Sequence, residues 1–91
     1  MEIKAAIKTA RELIPEFFPG AESASLRLEG AELSEDERYW LVTFSFFEQP
    51  SAENPFKEAM LVIPMRAYKT FKLKVADGGF VGFRNGFLDA A

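Results

Sequence analysis

At 91 residues the chain is long enough to bury one hydrophobic core and too short for two, and with 48% hydrophobic and 27% charged residues it is expected to fold rather than stay disordered. The absence of cysteine and histidine excludes disulfides, thiolate nucleophiles, zinc–thiolate sites and the imidazole base on which most hydrolytic sites depend. A net charge of -3 gives no overall attraction to nucleic acid or to an anionic membrane.

Ile3, Ala6, Ile7, Ala10, Ile14 and Phe17 recur at spacings of three and four, which predicts an amphipathic N-terminal helix with Lys4, Lys8, Arg11 and Glu12 facing water. Pro15 has no amide hydrogen and disfavours helical geometry at Ile14, so the helix is expected to kink or end there, and Pro19-Gly20 closes the segment. Glu2, Lys4, Lys8, Arg11 and Glu12 interrupt every apolar run, so nothing here resembles a signal peptide or a membrane span, and a cytoplasmic location is expected.

Ala24, Leu26 and Leu28 alternate with Ser25, Arg27 and Glu29 as a strand requires. After Gly30 the apolar positions shift to Ala31 and Leu33, which predicts a bulge or bend near Gly30. The polar run 34–38 then joins this strand by a hairpin to Tyr39–Phe47, the strongest strand signal in the chain. Trp40, Val42, Phe44 and Phe46 form its apolar face and should meet the helix; Tyr39, Leu41, Thr43, Ser45 and Phe47 form the other.

Residues 49–55 are expected to be a loop, and the run Met60-Leu61-Val62-Ile63 predicts a further strand. Residues 67–75 follow as another, with Phe71, Leu73 and Val75 inward and Tyr68, Thr70, Lys72 and Lys74 on the opposite face. Asp77-Gly78 supplies a tight turn into the short strand 80–83, and Phe87-Leu88 is a possible anchor for the terminus. The expected fold is α+β: one N-terminal amphipathic helix packed on a four- to five-stranded antiparallel β-meander, a single domain over 1–91.

The segment from Tyr68 through Asp77-Gly78-Gly79 to Val81 resembles the closing hairpin of PepSY-like domains. Leu33-Ser34-Glu35-Asp36 running into Tyr39-Trp40-Leu41-Val42-Thr43 is a looser match to the same family. The resemblance implies a helix on an antiparallel sheet and a protein-binding or inhibitory role, as in metalloprotease propeptides, and it brings no catalytic residue. Small toxin-immunity proteins are similar in outline, with a leading helix, a tryptophan-bearing strand and a glycine-closed terminal hairpin.

No constellation for catalysis, metal or cofactor binding stands out. Glu35, Asp36 and Glu37 fit a solvated turn better than a calcium loop, and Ser45 would need a lysine base to act as a nucleophile. Arg66, Lys69, Lys72 and Lys74 cluster in one segment, and the face shared by Tyr68, Thr70, Lys72 and Lys74 could meet phosphates or an acidic partner, but exposed lysines equally protect a sheet from edge-to-edge pairing, so nucleic acid is disfavoured as a partner.

The suggestive feature is the helix-free face. Tyr39, Leu41 and Phe47 would be wet there, beside Tyr68, Lys72 and Lys74, and apolar area of this kind is covered either by a partner or, within the monomer, by the loop 49–55 or Phe87-Leu88. These six residues are the candidate interaction surface of a non-enzymatic module whose partner is another protein or a second copy in a homodimer. A homo-oligomeric structural subunit and a histidine-free carboxylate or lysine enzyme are the alternatives.

Overall fold

A computed structural model describes residues 1–48 and 66–86. It consists of one helix, α1 (Ile3–Phe17), a short 3-10 segment (Ser23–Ser25) and four strands: β1 (Arg27–Leu33), β2 (Tyr39–Phe47), β3 (Arg66–Lys74) and β4 (Phe80–Asn85). The strands form one antiparallel sheet in the order β1-β2-β3-β4, as expected of a meander. The expected strand around residues 60–63, the loop 49–55 and the anchor at Phe87-Leu88 lie outside the described residues.

The helix lies on the face of the sheet that the alternation of β2 selects. Ala6, Ala10 and Ile14 are buried against Val42, Phe44, Phe46, Phe71 and Leu73, with Ile7, Leu13, Phe18 and Trp40 packed around them. Burying a phenylalanine or leucine side chain stabilises by about 1.5–3 kcal/mol, so the strands carrying Phe44, Phe46, Phe71 and Leu73 occupy the centre of the sheet. Two alanines at the contact let the helix backbone approach those large rings closely.

In three places the structure departs from the expectation. First, α1 continues through Pro15 to Phe17. The proline removes only the bond to the Arg11 carbonyl, and Ile14, completely inside the core, holds the last turn in place while its carbonyl accepts the Phe18 amide at 2.7 Å. Pro19 then ends the helix.

Second, residues 23–25 are not extended. Ser25 Oγ donates to the Glu22 carbonyl at 2.6 Å and accepts the Phe47 amide at 2.8 Å, so this serine favours a local turn that fastens the segment to the end of β2. Third, the apolar stripe of the helix is not buried along its length: Ile3 and Phe17, at its two ends, are 38% and 44% exposed.

Gly30 sits where the β1–β2 register shifts, as the change of alternation predicts. A second shift lies in the β3–β4 pairing, between Lys72 and Leu73. Glu37 takes a left-handed φ of 59° in the turn after β1, where its amide donates to the Ser34 carbonyl. Gly78 does the same with φ 75° in the last turn, and a Cβ there would lie 2.1 Å from the Met1 Cε.

Candidate interaction surfaces

The register places Tyr39, Leu41, Thr43, Ser45 and Phe47 of β2 on the helix-free face, opposite Lys74, Lys72, Thr70, Tyr68 and Arg66 of β3 respectively. All six candidate residues therefore share one face. They do not form one patch: Tyr39, Leu41, Lys72 and Lys74 gather at one end and Phe47 and Tyr68 at the other, and β2 is about 25 Å long.

Nor is that face open in the way the alternation suggests. Leu41 is only 9% exposed, because the register sets it between Glu32 of β1 and Lys72 of β3. Tyr39 and Phe47 are half-buried under cations: the Lys72 ammonium lies 4.1 Å from the Tyr39 ring centre, and the Arg66 guanidinium 4.6 Å from that of Phe47. The expectation that Leu41 is wet gives way to a tightly made surface.

Its middle is a polar network. Arg66 Nη1 donates to the Ser25 carbonyl and to Ser45 Oγ, both at 2.9 Å; Ser45 Oγ donates in turn to Glu29 Oε2 at 2.6 Å. Arg27 Nε reaches the same carboxylate oxygen at 3.0 Å. These contacts hold the Glu29 carboxyl below the ordinary carboxylate range, the Ser45 hydrogen bond contributing most. Ser45 is completely buried, its hydroxyl proton is directed at a carboxylate that favours the ionised form, and its cross-strand partners are Arg27 and Tyr68. The arrangement joins three strands and the 3-10 segment, and it has the character of a structural clasp.

Two other polar features are likewise internal to the fold. Thr43 and Thr70 share a buried hydrogen bond of 2.8 Å, and Thr70 Oγ1 also donates to the Gly86 carbonyl. In the acidic turn the Asp36 carboxylate accepts from Ser34 Oγ and from the Arg38 amide, and the serine bond is the main reason its carboxyl stays below its ordinary value. Among the described residues no group of three or more carboxylates is arranged to hold a metal ion. A cleft of about 480 Å3 between α1 and the 3-10 segment has Arg11, Pro15 and Glu22 in its walls and contains no buried ionisable group.

The exposed apolar surface is elsewhere. Among the described residues the large hydrophobic side chains that remain exposed are on Met1, α1, β1 and β4, and none is on β2 or β3. On the helix side Phe17 (44% exposed), Phe80 (37%) and Phe83 (40%) converge: the Phe17 ring centre is 5.1 Å from Phe80 and 5.8 Å from Phe83. Phe18, half-buried, is 5.0 Å from Phe83 and carries the Lys69 ammonium 4.9 Å over its ring. The helix packs mainly on β2 and β3 and reaches β4 through Phe17, so among the described residues the aromatic cluster borders an outer strand of the sheet.

The two edges of the sheet differ in charge. The outer strand β4 carries one cation, Arg84, and no carboxylate, whereas β1 carries Glu29 and Glu32 against one cation, Arg27. Sequence reasoning missed the aromatic cluster, because Phe80 and Phe83 look like core positions until the strand order shows β4 at an edge. No helix among the described residues is long and apolar enough to cross a membrane. In comparisons with known proteins, no family model, no curated protein and no solved structure matches the chain.

Proposed function

We propose that this chain is a small protein-interaction module that carries out no chemistry of its own. The observation behind this reading is the cluster of Phe17, Phe80 and Phe83, each more than a third exposed, beside β4, an outer strand of the sheet among the described residues. Aromatic area held rigidly in the open by a fold is what protein partners cover, and edge strands add backbone hydrogen bonds to such a contact. The six residues of the helix-free face serve mainly to stiffen the sheet, and of their two lysines Lys74 is the exposed one. An inhibitory form of the role is what the resemblance to PepSY-like domains implies. The absence of cysteine and the charges interleaved through the first helix favour a cytoplasmic setting.

Site-specific photo-crosslinking in the source cells tests the module reading. A crosslinking phenylalanine analogue in place of Phe83 is expected to give discrete protein adducts that weaken when Phe80→Ser is added. The same analogue at the exposed helix position Lys8 is expected to give none. Absence of adducts at Phe83, or the same pattern from both positions, would remove this reading.

A further inference from the structure

We propose that the occupant of the β4 edge is the β1 edge of a second copy of this chain, so that copies add head to tail into a continuous antiparallel sheet. This proposal rests on the module reading above and gives it a partner.

Strand parity allows the joint. Four strands alternating in direction leave β1 and β4 antiparallel to each other, so β1 of the next copy set beside β4 continues the alternation with every helix on the same face.

Among the described residues, backbone groups are available on both edges. The Gly86 amide donates to the Tyr68 carbonyl, so Gly86 and, by the alternation of an antiparallel ladder, Arg84 direct their backbone groups at β3. Those of Phe83 and Asn85 then point away from the sheet. On the other edge the Ser34 amide donates to the Tyr39 carbonyl, which by the same alternation turns the backbone groups of Leu33 and Ala31 outward.

One register satisfies backbone, apolar and charged groups together. Setting Phe83 opposite Leu33 of the next copy matches two residues whose backbone groups both point out and whose side chains, 40% and 39% exposed, both lie on the helix side. The same register sets Arg84 opposite Glu32 on the helix-free side and Asn85 opposite Ala31. Arg84 and Glu32 are both exposed and have no ion pair among the described residues. It also faces β4, whose one charged residue is Arg84, to β1, which carries two carboxylates against one cation. The register shifts near Gly30 and Gly82 border this stretch, so the paired region is short and the association concentration-dependent.

The contact is heterologous, so copies add head to tail, growing as a filament or closing into a ring according to the rotation between neighbours. An extended acidic segment of another protein could use the same edge of β4 but would leave β1 unoccupied.

The test is sedimentation velocity on the purified chain from micromolar to millimolar concentration at low and high salt, with a circular dichroism spectrum for each variant. The sedimentation coefficient is expected to rise with concentration and fall with salt. Arg84→Glu and Glu32→Arg, folded as the wild type, are each expected to weaken association by about tenfold or more, since each places like charges directly opposite. An equimolar mixture of the two restores the opposite-charge pair at both joints and is expected to recover association. A monomer at every concentration, association indifferent to either reversal, or a mixture that fails to recover would overturn the proposal. Adducts at Phe83 with a different protein, without self-association, would end this proposal while leaving the module reading intact; no adducts at all would end both.

Discussion

Glu29 shows how a single carboxylate can report on the assembly of three strands. Its folded-state pKa is lowered chiefly by the Ser45 hydroxyl, with Arg27 and Arg66 adding to the effect. A lowered folded value means that the stabilisation is present above the unfolded pKa and is lost as pH falls through the folded one. Stability measured by urea unfolding is therefore expected to decline as the solution is acidified through and below the ordinary carboxylate range. Ser45→Ala should flatten that decline and move the Glu29 titration, followed by carboxyl-carbon NMR, back up towards its ordinary value; an unmoved titration would show that the hydroxyl is not the main cause. The same substitution leaves the Arg66 guanidinium without one of its two acceptors in the clasp, so some loss of stability at neutral pH accompanies the change.

At the scale of elements, the helix–sheet joint is set by small residues. Ala6 and Ala10 are completely buried against strands that carry Phe44, Phe46 and Phe71, and that closeness leaves no room for growth. Ala10→Leu is expected to cost about 1–3 kcal/mol in urea unfolding, despite leucine's good helix propensity, because overpacking forces side chains or backbone to shift. An unchanged midpoint would mean that the helix can ride outward without penalty. This joint was legible in the sequence: the three-and-four spacing of Ala6, Ala10 and Ile14 and the alternation of Val42, Phe44 and Phe46 identify both faces. So was the bulge at Gly30, because a change in alternation parity can be read one strand at a time. The persistence of α1 through Pro15 was not legible, since it depends on Ile14 being gripped by the core. The burial of Leu41 and the exposure of Phe80 and Phe83 were hidden for a related reason. Alternation says which face a side chain takes, whereas wetness depends on which strands lie beside it, and strand order is a property of the whole sheet.

For the molecule as a whole, the order β1-β2-β3-β4 means that each described strand lies beside the next described one, yet the three pairings are not equally local. The β1–β2 hairpin closes at Leu33 and Trp40 and the β3–β4 hairpin at Leu73 and Phe80, whereas the nearest β2–β3 partners are Phe47 and Arg66. Bringing together partners more widely separated in sequence costs more chain entropy, and the helix finds its complete binding face only once β2 and β3 have met. Joining of the two hairpins under the helix should then be the rate-limiting event in folding, with the edges already formed or still free to form afterwards. In stopped-flow experiments Val42→Ala and Leu73→Ala, at that seam, are expected mainly to slow folding, whereas Leu28→Ala, on β1, should mainly speed unfolding. During the interval before the seam closes, β2 and β3 are the exposed, aromatic-rich edges of separate hairpins, so the strands most deeply buried in the finished protein are the ones most open to mispairing while it is being made.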